Sequence, residues 1–268
     1  MSENSMKQFV IFGDPVEHSK SPQMQNAGFK DLEFNANYEK YHLKAGKLLK
    51  KTFLDKNISG ANITVPYKED AFAQADEIIG LANKIGAANT YIKEEDKIVA
   101  YNTDAPGFIK AIEDFGKIKT VLILGAGGTA KAIAVALLEE NIKVTVLNRS
   151  KERLEFFKEL GCKTHTWNNF MLDSFDLIVN STSAGLKDEE FPFEKRRLEN
   201  IFLNATFAFD CIYGKETPFL GLAKKEGLRV KDGEDMLLYQ GVLALRLFTG
   251  IEPTDSTVAA MRAGLKGS

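Results

Sequence analysis

Residues 119–148 run strand, glycine turn, helix and strand, and this stretch restricts the fold more tightly than any other. TVLIL is an apolar run of strand length, AIAVALLEEN has helical spacing, and KVTVLN is strand-like again. Between the first two lies GAGGTA, in which Gly125, Gly127 and Ala130 make G-x-G-x-x-A around Ala126, Gly128 and Thr129. The first glycine suits a tight turn, the second lets backbone approach a pyrophosphate, and the third small residue allows close helix–strand packing. A helix beginning there offers unpaired N–H groups and a positive dipole end to phosphates. A plain strand-to-helix turn would also use glycine, but the flanking elements all fall where a Rossmann-like dinucleotide-binding unit needs them.

The end of the second strand bears on the cofactor. An NAD site places an acidic residue about 20 positions on, where it binds the ribose hydroxyls. Here the strand ends in LNRSKER, so Asn148, Arg149 and Ser150 take that place, with Arg153 one helical turn beyond. Two guanidinium groups and a hydroxyl suit a dianionic 2′-phosphate, which a carboxylate would repel. NADP is therefore expected over NAD, although a solvated helix start would also carry such charges.

About 120 residues precede the fingerprint. They alternate strand and helix: KQFVIFG then SPQMQNAGFKDL, ANYEKYHL then GKLLKKTFLD, ISGANITVP then YKEDAFAQA, and two β segments around KEEDK. That alternation predicts an α/β domain with a mainly parallel sheet. After the fingerprint unit come a helix at RSKERLEFFKELG, a strand at 175–182, further β pattern in IFLNATFAFDCIY, and a helix with a short β segment in GLAKKEGLRV. Helices at about 235–248 and 254–265 close the chain. The expected division is a substrate-binding catalytic domain over 1–105, a Rossmann domain over 106–235, and helices over 236–268 that pack back on the first, leaving a cleft between two lobes.

Composition removes other classes. At 44% hydrophobic and 27% charged, the chain can bury a sizeable core, and a net charge of −2 supplies no field for nucleic acid or an anionic membrane. The longest apolar run, 236–248, contains Gln240 and Arg246 and is too short to span a bilayer. No signal peptide is expected from MSENSMKQFVIFG. Cys162 and Cys211 read as reduced thiols without a ligand cluster, so a cytoplasmic protein with no metal is expected.

ITVPYKED places Lys68 where a strand gives way to a helix, and YNTDAPGF places Asp104 in a second loop. The two could form a proton-transfer pair, or be an exposed first-turn lysine and a helix cap. Several further motifs stand in order along the chain. HSKSP at 18–22, GANITVPYKE at 60–69, GAANT at 86–90, NTD at 102–104, GAGGTAKA, NRSKER, DCIYGKETPFL at 210–220 and MLLYQG at 236–241 resemble the shikimate dehydrogenase family over almost the whole chain.

The resemblance implies reversible NADPH-dependent reduction of 3-dehydroshikimate to shikimate, in chorismate and aromatic amino-acid biosynthesis. Lys68 would be the acid in reduction and the base in oxidation, and Asp104 would hold it and meet a ring hydroxyl. Ser19 and Ser21 would take the substrate carboxylate, with Tyr213 closing near it. Asn62, Thr64, Asn89 and Gln240 would join Asp104 on the ring hydroxyls. Thr182 and Ser183 would line the nicotinamide ribose, with Gly233 and Met236 flanking the nicotinamide. His18 is assigned no role. Two departures from the family stand out: Glu234-Asp235 where a small or apolar pair is usual, and Ala105-Pro106 in place of a glycine after NTD. The neighbouring alternatives are a quinate/shikimate dehydrogenase of relaxed substrate or cofactor choice, and a non-catalytic NADP-binding regulatory module. Retention of Lys68 and Asp104 counts against the module. The partner is thus a small molecule, with no nucleic acid and no membrane, and a homodimer is allowed.

Overall fold

The computed structural model describes residues 5–267, so the outermost residues of the expected end domains, 1–4 and 268, lie outside the described residues. The chain divides into two compact units. One runs to Gly107 and resumes at Leu238; the other is Phe108–Leu237. Both are α/β.

The first unit carries β1 (Lys7–Gly13), α1 (Ser21–Asp31), β2 (Ala36–His42), α2 (Leu49–Asp55), β3 (Gly60–Ile63), α3 (Lys68–Gln74), β4 (Glu77–Ile78), α4 (Leu81–Ile85), β5 (Thr90–Glu94) and β6 (Lys97–Tyr101). Its sheet order is β2-β1-β3-β5-β6-β4. The β1 strand runs parallel to both neighbours, and β4 parallels β6. The reversed strand is β5, antiparallel to β3 and β6, because a two-residue turn at Glu95-Asp96 folds it straight back into β6. Consecutive residues Phe9 to Phe12 of β1 are all buried, as befits a central strand covered on both faces. Val10 and Phe12 join a core with Phe53, Ile63 and Tyr91, while Phe9 packs 5.1 Å from Phe29. Each such side chain contributes about 1.5–3 kcal/mol by leaving water.

The helix α5 (Asp104–Ile112) leads into the second unit. There follow β7 (Thr120–Leu124), α6 (Gly128–Glu139), β8 (Lys143–Asn148), α7 (Glu155–Glu159), β9 (Lys163–Thr166), β10 (Phe175–Asn180), α8 (Lys195–Phe202), β11 (Ala205–Asp210), α9 (Pro218–Lys225) and β12 (Arg229–Lys231). All six strands are parallel, in the order β12-β11-β10-β7-β8-β9. Read from β9, that is the doubly wound order third-second-first-fourth-fifth-sixth, with its switch point between β7 and β10. Ligands of such sheets bind beyond the carboxyl ends of the strands at that point. Two local expectations need correction. The helix expected over 149–161 starts as a 3-10 turn, Lys151–Leu154, before α7. The β pattern expected from residue 201 begins inside α8, where Leu198, Ile201 and Phe202 form a buried i, i+3, i+4 stripe.

The chain closes with α10 (Glu234–Thr249) and α11 (Asp255–Lys266). From Leu238 onward these helices belong to the first unit. Phe248 of α10 packs 4.7 Å from Phe9. Against α1 lies α11, where a Cβ on Gly264 would come within 2.6 Å of the Gln23 carbonyl oxygen. A reciprocal Thr254–Thr257 capping box starts α11. Among the described residues, no helix is long and apolar enough to cross a membrane, and no cluster of three or more His, Cys, Asp or Glu could hold a metal ion.

Candidate active site

In the first unit the candidate groups gather where β3 and β6 end, where the reversed β5 begins, and where α3 and α5 begin. Lys68 opens α3 and Asp104 opens α5. Lys68 Nζ donates to Asp104 Oδ2 at 2.6 Å, with the two side chains 15% and 10% exposed. Hydrogen bonds to the backbone of each residue hold both ends of the pair. The Ala88 N–H donates to the Lys68 carbonyl at 2.9 Å, and Asn102 Oδ1 accepts the N–H groups of Asp104 and Ala105 at 3.1 and 3.3 Å. Pro106 falls in the first turn of α5, where the missing N–H would have had no helical partner.

A buried polar chain runs beside this pair. The Tyr38 hydroxyl donates to Asn62 Oδ1 at 2.7 Å, and Asn62 Nδ2 donates to Thr90 Oγ1 at 3.0 Å and to the Asn89 carbonyl at 3.3 Å. Asn89 Oδ1 accepts the Thr103 N–H at 2.8 Å, and Asn89 Nδ2 donates to Thr103 Oγ1 at 3.0 Å. Thr103 Oγ1 in turn lies 3.5 Å from Gln240 Oε1. Asn62, Asn89 and Gln240 are therefore brought together, and both amide protons of Asn62 are engaged within the protein. Gln240 reaches the group because α5 and α10 touch at Gly107, where a Cβ would stand 2.7 Å from the Gln240 nitrogen.

Ser19 and Ser21 are buried at the start of α1, and the Ser21 N–H donates to Ser19 Oγ at 3.2 Å. Thr64 is half-buried after β3, with its methyl against Gly13, and His18 is exposed. Tyr213 follows β11 in the second unit, and burial raises its phenol above the ordinary range.

The second unit builds the glycine turn. Gly125 sits at φ +104°, a conformation that glycine adopts without strain, and a Cβ there would meet Ser181 Oγ and Thr182 Cγ2, each at 2.9 Å. Gly127 precedes α6 at an ordinary φ of −90°, and neither it nor Gly128 has an atom within 4 Å of an added Cβ. No side chain caps α6 and its first turn holds no acidic residue. The start of α6 is therefore uncapped and open beside both glycines, as a phosphate site requires. Ala130 is fully buried, while Ala126 and Thr129 flank the turn. At the end of β8, Asn148 Nδ2 donates to the Ser150 carbonyl at 2.9 Å, and Arg149 and Arg153 are exposed. An uncapped helix start, an open glycine approach and two exposed guanidinium groups fit a phosphorylated dinucleotide. Thr182 and exposed Ser183 lie beyond β10, and Gly233 backs onto the Cys211 carbonyl, 2.3 Å from an added Cβ. Met236 is buried on the first turns of α10. Asp235 Oδ2 accepts from Lys231 Nζ at 2.9 Å, so one of the two unusual carboxylates is neutralised locally.

With this geometry in view, likeness to known proteins is decisive. The shikimate dehydrogenase substrate binding domain matches residues 11–91, shikimate / quinate 5-dehydrogenase matches 109–209, and the shikimate 5'-dehydrogenase C-terminal domain matches 233–263. The chain belongs to the shikimate dehydrogenase family. A shikimate dehydrogenase (NADP(+)) of Helicobacter hepaticus is 44% identical over 242 residues, 90% of each chain. The crystal structure of shikimate dehydrogenase from Aquifex aeolicus superposes with a TM-score of 0.88 at 34% identity, covering 98% of this chain and 99% of that one. The Thermus thermophilus shikimate 5-dehydrogenase, solved in complex with NADP(H) and shikimate, gives 0.86 at 34% identity over the same shares.

Several supporting residues of this shikimate dehydrogenase fold escape a reading of the sequence. Tyr38 holds Asn62, Thr90 and Thr103 link the amides, Gly107 admits Gln240, and Asn180 pairs with Asp210. A visible signal existed for the last pair: each is a polar residue that closes a strand directly after a run of apolar residues, LIV before Asn180 and FAF before Asp210.

Proposed function

We propose that the chain catalyses the reversible NADPH-dependent reduction of 3-dehydroshikimate to shikimate, the step that serves chorismate and aromatic amino-acid biosynthesis. The observation that carries this is the largely buried Lys68–Asp104 ion pair, set beside a row of neutral amide and hydroxyl groups. Reduction of a ring ketone needs a hydride at carbon and a proton at oxygen. NADPH, when bound, supplies the hydride.

Lys68 Nζ gives the proton to the carbonyl oxygen as the carbon–oxygen double bond becomes a single bond, and recovers it in the oxidative direction. Asp104 directs that nitrogen and accepts a ring hydroxyl. Ser19 and Ser21 bind the carboxylate, which Tyr213 also meets, while Asn62, Thr64, Asn89 and Gln240 bind the remaining hydroxyls. In the second unit Gly125 to Ala130 cradle the pyrophosphate, and Asn148, Arg149, Ser150 and Arg153 take the 2′-phosphate. Thr182 and Ser183 take the nicotinamide ribose, and Gly233 and Met236 the ring. Support for this assignment comes from the open helix start and from relatives that bear the names given above.

The test is absorbance at the reduced-nicotinamide band, with shikimate or quinate against NADP⁺ or NAD⁺. Rapid growth with shikimate and NADP⁺ is expected, and comparable rates with quinate or NAD⁺ would move the assignment to a dual-substrate enzyme. Lys68→Ala should lose most turnover while NADPH binding stays close to wild type. Equal loss of both would refute the proton-transfer role.

A further inference from the structure

Asn180 ends β10 and Asp210 ends β11, and the parallel register sets them side by side. Both are fully buried. The Asp210 carboxylate accepts from Asn180 Nδ2 at 3.1 Å to each oxygen, from the Ile212 N–H at 3.0 Å, and from the Thr217 hydroxyl at 2.6 Å. Every partner of this carboxylate is a donor, which is what the ionised form requires. An amide facing an acceptor-only group must present its nitrogen, so Asn180 turns its oxygen the other way. That oxygen accepts from the Thr182 N–H at 3.0 Å and from the Thr182 hydroxyl at 2.7 Å, and Thr182 Oγ1 accepts the Ala184 N–H at 3.2 Å. All donors along the chain therefore point toward Asp210.

We propose that Asp210 is a positioning residue for the dinucleotide: through Asn180 it fixes the direction of the Thr182 hydroxyl and the path of the 181–185 loop, and thereby the affinity for NADP(H). The loop's own packing is a second, independent support. Ser181 Oγ donates to the Leu124 carbonyl at 2.8 Å, next to Gly125 of the glycine turn. At the other end, Gly185 lies so close to Thr217 that an added Cβ would be 3.2 Å from the threonine Cβ. The loop is thus held between the glycine turn and the group that Asp210 anchors. This inference rests on the dinucleotide role proposed for the second unit.

The test uses Asp210→Asn, Asn180→Asp, the double variant and Thr182→Val. NADPH affinity is read by fluorescence titration, with the KM for shikimate and the thermal midpoint measured alongside. Each single change at 180 or 210 sets donor against donor or carboxylate against carboxylate, and should weaken NADPH about tenfold or more. The KM for shikimate should change less than the NADPH affinity, since Asn62, Asn89 and Gln240 belong to the first unit. In the double variant the new amide at 210 donates to the new carboxylate at 180, which still accepts from Thr182, so affinity should return to within about threefold of wild type. A folded double variant that stays weak, or single variants that bind normally, would overturn the proposal. Thr182→Val alters a half-exposed loop and keeps the fold; it should bind several-fold more weakly, and unchanged affinity would also overturn it. Wild-type protein that does not bind NADPH would instead defeat the dinucleotide role itself.

Discussion

Alanine at Gly125 and alanine at Gly127 should damage the protein in opposite ways, although the two glycines stand two residues apart. At Gly125 the backbone has φ +104°, which costs an L-residue about 1–3 kcal/mol. The new methyl would also lie 2.9 Å from Ser181 Oγ and from Thr182 Cγ2. Neither can retreat freely, because Ser181 Oγ is bonded to the Leu124 carbonyl at 2.8 Å and Thr182 Oγ1 to Asn180 at 2.7 Å. Overpacking of this kind adds about 1–3 kcal/mol, for a total of about 2–6 kcal/mol. That is a large part of an ordinary domain stability of about 5–15 kcal/mol. Gly127→Ala meets no atom within 4 Å at an ordinary φ of −90°, so its stability should stay within about 1 kcal/mol of wild type. Its methyl would instead occupy the approach to the first N–H groups of α6, and NADPH affinity should fall about tenfold or more. Urea unfolding followed by tryptophan fluorescence separates the two, because the single tryptophan, Trp167, lies in the unit that holds both glycines. With a urea slope of about 2 kcal/mol per M, Gly125→Ala should lower the midpoint by about 1–3 M. A Gly125→Ala midpoint equal to wild type would refute the strain argument. Normal NADPH binding by Gly127→Ala would refute the phosphate assignment.

Other perturbations probe separate parts of the molecule. Gly107→Ala drives a methyl to 2.7 Å from a backbone nitrogen at Gln240, so it should cost about 1–3 kcal/mol and raise the KM for shikimate more than that for NADPH; steady-state kinetics with both substrates checks this. Arg149→Ala should weaken NADPH far more than NADH, and an equal loss for both in fluorescence titrations would remove its 2′-phosphate role. Burial pushes the Cys162 thiol from 9.0 up to about 11. The folded state therefore holds the thiol proton more tightly than the unfolded chain. That contribution to stability is fully present below pH 9.0 and is lost as the pH rises toward about 11. Cys162→Ala should flatten this alkaline loss in unfolding curves measured from pH 8 to 11, and an unchanged slope would rule out the thiol as its source.

What could be read from the residues, and what could not, follows from how each element is stabilised. The β7–α6–β8 unit was legible because its strands are apolar runs and its turn needs glycine at a fixed spacing. By contrast β9, the edge strand KTHT, has no fully buried residue, and β4 has only two residues, so neither carries a periodic signal. The five-residue α4 is too short for a helical period, although Gly86 in the left-handed region closes it. The stripe of α8 was visible in principle but lay under three consecutive charged or polar positions at its start.

The same contrast governs the candidate site. Lys68 and Asp104 are 36 residues apart in the chain and meet only because α3 and α5 both begin at strand ends of one sheet. The motifs named the two residues, but their contact depends on the order β3-β5-β6, in which the reversed β5 brings the end of β6 beside the end of β3. Asn89, in the turn that enters β5, then sits between them and links Asn62 on one side to Thr103 on the other. A reversed strand thus places a hydrogen-bonding amide where a parallel strand would have placed the end of its ladder. The direction of β5 is therefore part of the site's chemistry as well as of its fold.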